Sequence, residues 1–243
     1  MSMPRTLAVI PARLASTRLP RKVLRMIAGR PMLAWVYEAA VRCAGIEQVI
    51  IATDSDEVED LCRREGWPSI MTSTDLQSGS DRVHAVALTH PAEIYVNIQA
   101  DEPLLRSEHI SALLKPFATA SVQVTTLKTP CPVEDLQNPN VVKVVCDAGD
   151  RALYFSRATI PFDRDGTGEA EVWKHLGLYA YRSEALAEFH CTPPCSLERT
   201  ERLEQLRFLD LGIPVHVIST PFDTVGVDTE QDLEHVEAML LGR

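Results

Sequence analysis

Short apolar runs alternate with longer amphipathic segments through the first half of the chain. The runs TLAVIP, QVIIATD and EIYVNIQAD are typical of buried strands. The segments RPMLAWVYEAAVRCAG and SDEVEDLCRREG, which lie between them, are typical of helices. This alternation predicts an α/β fold with a mostly parallel central sheet and helices on both faces.

The pattern changes after residue 120. The runs VVKVVC and ALYFSR flank the turn-forming DAGD, which predicts an antiparallel hairpin inserted into the parallel core. SLERTERLEQLRFLDLG is predicted to be one helix ending at Gly212, and VGVDTEQDLEHVEAMLL a strand end followed by a capped closing helix. We expect one domain over residues 1–243, in which residues 221–243 return to the core.

Composition and charge exclude several classes of protein. The formal net charge of −10 argues against a nucleic-acid-binding protein and against a polybasic membrane anchor. No apolar run approaches the roughly eighteen residues that a bilayer span needs, and the first residues lack the pattern of a signal peptide. We therefore expect a soluble cytoplasmic protein.

The six cysteines form no C-x-x-C pair. The closest two, Cys191 and Cys195, lie beside His190, so a metal site there is one interpretation. Free thiols in a reducing cytoplasm are the favoured alternative.

The loop after the first predicted strand is strongly basic. Within LAVIPARLASTRLPRKVL it carries Arg13, Arg18, Arg21 and Lys22. Loops at the carboxyl ends of parallel strands bind ligands, and arginine and lysine hold phosphate oxygens. The loop contains neither G-x-G-x-x-G nor G-x-x-x-x-G-K-[ST], so we predict a phosphate chain held by backbone N–H groups supplemented by side-chain charge. A solvated basic loop is the alternative.

Two aspartates follow predicted strands. Asp101 comes after IYVNIQ and Asp228 comes after VGV. A carboxylate is costly beside buried strand residues unless it is paired or binds a metal. Two such carboxylates at the carboxyl edge of a sheet can hold magnesium, which prefers oxygen ligands and bridges to phosphates. The alternatives are a helix cap for Asp228 and a plain turn position for Asp101.

Ten collinear segments, covering nearly the whole chain, resemble the 3-deoxy-manno-octulosonate cytidylyltransferase family, also called CMP-KDO synthetases. The resemblance implies the nucleotide-diphospho-sugar transferase fold, a homodimer and a need for Mg²⁺. It also implies transfer of CMP from CTP to the eight-carbon acid sugar KDO, releasing pyrophosphate, for lipopolysaccharide biosynthesis. The segments are VIPARLASTRLPRKVL, GRPMLAWVYEAA, VIIATD, MTSTDLQSGSDR, VNIQADEPL, NPNVVKVV, ALYFSRATIPFDRD, KHLGLYAYR, LERTERLEQLR and GVDTEQDLE.

The resemblance assigns roles to individual residues. Residues 1–120 would mainly bind the nucleotide, and residues 121–220 would mainly bind the sugar and form the dimer. The catalytic set is Arg13, Lys22, Asp101 and Asp228, of which Asp101 and Asp228 are the magnesium ligands. The nucleotide-binding set is Arg13, Arg18, Lys22, Gln77, Ser78, Arg82 and Asp101. The sugar-binding set is Gln99, Arg157, His175, Tyr179, Glu204 and Gln205.

Alternatives remain for several of these residues and for the function. His175 and Tyr179 could be packed core residues, and the LEQLR segment could be core with a solvated face. The substrate could be 8-amino-KDO, another acidic sugar or a neutral sugar 1-phosphate. A non-catalytic CTP-binding protein is the remaining alternative.

The chain departs from the family pattern at three places. Arg21 stands where the family usually has glycine in Leu-Pro-Gly-Lys, and Ala100 replaces the glycine of Gln-Gly-Asp-Glu-Pro. Arg21 adds bulk and charge inside the phosphate loop and is expected to alter its backbone. If the glycine replaced by Ala100 needs a positive φ, alanine would strain the turn there. The stretch ERTER, before LEQLR, also differs from the usual pattern.

Overall fold

The apolar runs form strands in the computed structural model, which describes residues 5–14, 18–76, 78–168 and 170–242. The described strands are β1 (Thr6–Ala12), β2 (Met26–Ile27), β3 (Arg30–Pro31), β4 (Gln48–Thr53), β5 (Ser69–Met71), β6 (Ile94–Asn97), β7 (Val124–Pro130), β8 (Lys143–Cys146), β9 (Ala152–Ser156), β10 (Trp173–Arg182) and β11 (Val215–Ser219). The described α-helices are α1 (Met32–Val41), α2 (Asp56–Glu65), α3 (Gly79–Ala87), α4 (Ser107–Leu114), α5 (Ser183–Cys191), α6 (Ser196–Glu201), α7 (Leu206–Asp210) and α8 (Glu230–Leu241). Short 3-10 helices cover Lys22–Leu24, Lys115–Ala118 and Val133–Asp135.

The chain divides into two compact units. The first unit comprises residues 1–111 and 224–243, and the second comprises residues 112–223. Among the described residues of the first unit, β6, β1, β4 and β5 lie side by side in that order and are parallel. Every residue of β1 is buried, as expected for a central strand covered on both faces. The predicted parallel α/β core is confirmed.

The closing segment of the chain packs into the first unit. Leu233 and Val236 of α8 share a buried apolar cluster with Leu19, Met32 and Leu104, which come from distant parts of the sequence. Burial of this cluster draws the basic loop, the segment after β6 and the start of α8 together. These are the segments that carry the predicted phosphate-binding and metal-binding residues.

The predicted strand end at VGV is wrong. Residues 225–227 belong to no strand, although the Val227 N–H donates to the Asp101 carbonyl at 2.9 Å. The predicted helix start after it is correct. Thr229 is the N-cap of α8 and forms a capping box with Asp232, which satisfies N–H groups that lack partners within the helix.

The second unit is built mainly from antiparallel pairs. β10 pairs antiparallel with β7 and with β8, and β11 adds to β7 in parallel. β8 and β9 form the predicted antiparallel hairpin, with the turn at Asp147–Asp150. A bulge interrupts β10 between Leu176 and Tyr179, next to two of the predicted sugar-binding residues, His175 and Tyr179.

The single helix predicted over SLERTERLEQLRFLDLG is wrong. The segment forms two short helices, α6 and α7, because Arg202 takes a left-handed conformation with φ 56° and ends α6. Helical spacing of apolar residues is preserved across such a break, so periodicity alone does not reveal it.

Within the described residues, no helix combines the length and apolar character that crossing a membrane requires.

Candidate active site

Lys22 lies between Asp101 and Asp228 in the first unit. Its ammonium donates to Asp101 Oδ2 at 2.6 Å and to Asp228 Oδ1 at 2.8 Å. The hydrogen bond from Val227 N–H to the Asp101 carbonyl joins the two acidic segments next to these carboxylates. The Lys22 side chain is only 13% exposed, whereas those of Asp101 and Asp228 are 31% and 43% exposed. Residues distant in the sequence therefore form one site, the aspartate–lysine cluster.

The other cations of the basic loop lie in different surroundings. Arg18 pairs with Asp228 Oδ2 at 2.8 Å and so joins the edge of the aspartate–lysine cluster. Arg13 follows β1 directly and is half-buried. Arg21 instead forms an ion pair with Glu57 at the start of α2. The structure thus brings Arg18 and Lys22 to the aspartates and directs Arg21 elsewhere.

The cluster keeps Lys22 charged. Burial is the largest influence and lowers the pKa of Lys22, but the charges and hydrogen bonds of Asp101 and Asp228 together outweigh it, and the pKa is raised. Lys22 and Arg18 then balance the charges of the two carboxylates.

The donor set of the cluster fits a magnesium ion. Two carboxylate oxygens already converge on one positively charged group, the Lys22 ammonium. In the described part of the chain, no group of three or more His, Cys, Asp or Glu residues is gathered as for an all-protein metal cage. Magnesium is commonly bound by one or two carboxylates together with water and substrate phosphates, which matches this arrangement.

Asp228 is not the helix cap that one interpretation of the sequence suggested. Thr229 fills that role, and its hydroxyl accepts from the Asp232 N–H. The backbone N–H of Asp228 donates to Asp232, while its carboxylate faces Lys22 and Arg18. The Asp228 carboxylate is therefore available for ligand chemistry.

The two departures from the family pattern in this unit behave differently. Arg21 has φ 57° and ψ 32°, the left-handed conformation that glycine adopts without steric cost. Ala100 is not among the non-glycine residues with positive φ, and its side chain is buried. Strain at Ala100, beside the aspartate–lysine cluster, is therefore not expected, whereas Arg21 carries a backbone cost.

We expect Arg21→Gly to be more stable than Arg21→Ala by about 1 kcal/mol. Both variants lose the ion pair with Glu57, so their difference isolates the cost of a Cβ at a left-handed position. Urea unfolding of the two variants measures it. The same pair of substitutions at exposed Arg64 in α2 is the control, and there alanine should be the more stable residue. Equal stability at position 21 would contradict the assigned strain.

Two of the predicted nucleotide-binding residues, Ser78 and Arg82, lie at the start of α3. Ser78 is the N-cap of α3 and forms a capping box with Asp81. Arg82 is fully buried and donates to Asp54 at 2.5 Å, to the Thr72 hydroxyl and to the Ser73 carbonyl. Arg82 thus ties the segment before α3 to the end of β4. Gln77 lies outside the described residues.

Asp54 is a residue that the sequence interpretation missed. It follows β4 directly, and it is the charged partner of the buried Arg82. The strand-end position was a usable signal, because a carboxylate directly after a buried strand requires a partner.

Five members of the predicted sugar-binding set lie in the second unit. His175 and Tyr179, on β10, are buried, and His175 Nε2 is hydrogen-bonded to the Thr126 hydroxyl at 2.9 Å and to the Tyr179 hydroxyl at 3.0 Å. Gln205 is buried, and Glu204 is half-buried. The sixth member, Gln99, lies in the first unit, two residues before Asp101.

Arg157 is held by the backbone. Its guanidinium donates to the carbonyls of Glu201 at 2.7 Å, Pro139 at 2.9 Å and Arg202 at 3.3 Å. A guanidinium carries five N–H groups, so these bonds do not exhaust its capacity to hold a carboxylate. Arg157 therefore has a structural task in addition to any contact with substrate.

Burial lowers the pKa of His175 to about 3, so His175 is neutral in the folded protein near neutral pH. The unfolded chain binds a proton near 6.5, whereas the folded chain does not. The contribution of neutral His175 to the free energy of unfolding is therefore fully present above about pH 6.5 and is lost as the pH falls toward 3. We expect the free energy of unfolding of the wild type to fall between about pH 7.5 and about pH 5. The same fall should be smaller by about 2 kcal/mol in His175→Gln, which has no imidazole to protonate. His190→Gln, at an exposed position, should retain the wild-type fall.

Comparison with known proteins places this fold and site in a class. A family model described as Cytidylyltransferase matches residues 7–214. A solved cytidylyltransferase from Leptospira borgpetersenii has the same fold, with a TM-score of 0.68 at 15% identity, covering 99% of this chain and 88% of that one. The protein is thus an enzyme of the nucleotidyltransferase class.

More similar relatives define the family. The chain is 58% identical to the 3-deoxy-manno-octulosonate cytidylyltransferase of Acidobacterium capsulatum, covering 100% of this chain and 99% of the relative. It is 56% identical to that of Koribacter versatilis, with coverage of 98% and 91%. A solved CMP:2-keto-3-deoxy-manno-octonic acid synthetase complexed with CTP has a TM-score of 0.94 at 39% identity, with coverage of 98% and 99%. The chain belongs to the 3-deoxy-manno-octulosonate cytidylyltransferase family, as its ten segments predicted.

Proposed function

We propose that this protein transfers CMP from CTP to KDO and releases pyrophosphate, as the names of its relatives describe. The observation that carries the proposal is the convergence of Lys22, Asp101 and Asp228 in a chain 58% identical to such a relative. The product would enter lipopolysaccharide biosynthesis in the cytoplasm. A non-catalytic CTP-binding protein would have no need for this cluster.

The nucleotide side of the reaction is governed by charge. The oxygen of the sugar's anomeric hydroxyl attacks the α-phosphorus of CTP. An oxygen–phosphorus bond forms as the bond to pyrophosphate breaks, and the hydroxyl proton is released to solvent. Lys22, Arg13 and Arg18 would hold the phosphate oxygens and stabilise the charge that grows on the departing pyrophosphate. Asp101 and Asp228 would hold a Mg²⁺ ion, which supplies a Lewis acid at the phosphates when bound.

The sugar side of the reaction is governed by hydrogen bonding. Neutral His175 and the Tyr179 hydroxyl can donate to or accept from sugar hydroxyls, since burial lowers the pKa of His175 and raises that of Tyr179. Glu204 and Gln205 would recognise further hydroxyls. Arg157 would use its remaining N–H capacity to hold the sugar carboxylate, so that its charge does not oppose that of the triphosphate.

The test of this function is incubation with CTP, Mg²⁺ and KDO while pyrophosphate is measured. We expect release with CTP, little release with UTP or ATP, and none after divalent ions are removed with EDTA. Product formation that survives EDTA would remove the aspartates from a metal site. Binding of CTP without pyrophosphate release would favour the non-catalytic alternative, and competition with 8-amino-KDO separates the two acid sugars.

The family resemblance also predicts a homodimer. Large apolar side chains of the second unit are exposed, among them Phe162 at 85%, Val133 at 81% and Leu153 at 62%. Burial of such side chains against a second copy would be favourable. We expect the protein to elute as a dimer in size-exclusion chromatography with light scattering, and Leu153→Glu to shift it toward the monomer. A wild-type protein that stays monomeric at high concentration would contradict the dimer.

A further inference from the structure

The carboxylate of Glu201 holds the end of β9. Glu201 is the last residue of α6, and it accepts from the Ser156 hydroxyl at 2.7 Å, the Arg157 backbone N–H at 3.0 Å and the Tyr154 hydroxyl at 3.4 Å. Three donors from one strand end thus converge on one side chain of a helix more than forty residues away in the sequence.

Arg157 completes the arrangement in the opposite direction. Its guanidinium donates to the carbonyls of Glu201 and Arg202 at the end of α6, and to the carbonyl of Pro139. Carbonyls in the last turn of a helix lack partners within the helix, so a cation there satisfies them and complements the helix dipole. We call this reciprocal pair, Glu201 and Arg157, the Glu201–Arg157 clamp.

The clamp lies beside a strained turn. Arg202, the residue after Glu201, has φ 56°, a left-handed conformation that is unfavourable for a residue with a Cβ. Because α6 ends there, the next residues start in a new direction and lead to Glu204 and Gln205. A strained turn persists when surrounding contacts hold it, and here the Arg157 guanidinium binds the Arg202 carbonyl.

An ion pair anchors the far side of the same turn. Arg207 of α7 forms a buried bidentate pair with Glu198 of α6, and it also donates to the Phe189 and Thr192 carbonyls. The short segment 202–205 therefore lies between two Glu–Arg pairs. Two of the three glutamates in LERTERLEQLR, Glu198 and Glu201, bind arginines that hold the structure of this region. The third, Glu204, precedes α7 and is half-buried.

We propose that Glu201 and Arg157 are positioning residues that fix segment 202–205 and so place Glu204 and Gln205 for the sugar substrate. The inference rests on the proposed function only in stating that Glu204 and Gln205 bind the sugar. A left-handed helix end is usually occupied by glycine, and here the clamp offsets the steric cost of having Arg202 in that position. It makes the orientation of the sugar-binding side chains depend on a bond network instead of on local backbone preference.

The charge state of Glu201 suits this role. Burial opposes ionisation, but the hydrogen bonds from Arg157, Ser156 and Tyr154 outweigh it and lower the pKa of Glu201. An ionised carboxylate only accepts hydrogen bonds, so it can serve all three donors at once.

The test compares Glu201→Ala, Glu201→Gln and the control Glu188→Gln, an exposed glutamate of α5. We expect Glu201→Ala to raise KM for KDO at least about tenfold while KM for CTP stays within about twofold. Glu201→Gln retains acceptor capacity and should recover most of the loss, and Glu188→Gln should match wild type. A merely structural role would leave both Michaelis constants unchanged and would lower only the apparent turnover number, in proportion to the loss of folded protein.

Hydrogen–deuterium exchange supplies a readout that is independent of catalysis. The amides of segment 197–207 should exchange at least about tenfold faster in Glu201→Ala than in wild type or Glu188→Gln. Unchanged exchange together with an unchanged KM for KDO would overturn the clamp, even if wild type makes CMP-KDO. If wild type forms no product from KDO, the proposed function fails, and unchanged exchange would still overturn the clamp while faster exchange would support it.

Discussion

Asp228→Asn should lower the turnover number with CTP and KDO by at least about a hundredfold and leave the fold intact. Asparagine has nearly the same shape as aspartate but lacks the charge that a divalent ion and Lys22 both require. The fold should survive because Thr229, not Asp228, caps α8. Pyrophosphate release measures the turnover number, and thermal unfolding followed by circular dichroism measures stability.

Asp60→Asn is the matched control for this prediction. Asp60 lies on the exposed side of α2 and pairs with Arg63 within the same helix, so its substitution makes the same change in net charge at a distance from the cluster. Its turnover should stay within about twofold of wild type, because exposed helix pairs contribute little. If Asp228→Asn turned over at a near-wild-type rate, Asp228 would not be a ligand of the catalytic metal.

The sequence predicted the parallel core because its strands are buried on both faces. Strands such as β1 and β4 must then be continuous apolar runs. Short runs of this kind between helical segments predict the strands of a parallel sheet. Asp101 and Asp228 were selected by the same reasoning, although β6 ends at Asn97, four residues before Asp101, and residues 225–227 form no strand. What the pattern could not supply was the direct contact of both carboxylates with Lys22, since that contact depends on how the apolar cluster around Leu233 draws three segments together.

The helix break at Arg202 lay beyond sequence reasoning for a physical reason. A left-handed helix end is usually marked by glycine, but here an arginine adopts it because tertiary hydrogen bonds from Arg157 hold the turn. The contact joins residues 45 positions apart, so no local propensity records it. The engagement of Arg82 by Asp54 was missed because the family resemblance assigned Arg82 to the nucleotide-binding set and did not indicate a buried ion pair.

Lys22→Ala should reduce the turnover number by at least about tenfold, and Lys22→Arg should recover only part of it. The ammonium is a compact charge held between two carboxylate oxygens at 2.6 and 2.8 Å, and a planar guanidinium cannot occupy the same position with the same bonds. Alanine removes both the phosphate-binding charge and the balance of charge between Asp101 and Asp228. Pyrophosphate release over a range of Mg²⁺ concentrations measures the effect.

The control for Lys22 is Lys115→Ala, which removes an exposed lysine from a short 3-10 helix of the second unit and should leave turnover unchanged. Comparison of the two separates loss of the local ammonium from a change in net charge. A Lys22→Ala enzyme as fast as wild type would mean that the basic loop is merely solvated. Slow turnover that more Mg²⁺ restores fully would mean that Lys22 acts only by balancing the aspartates, because a phosphate-binding role would leave a defect at saturating metal.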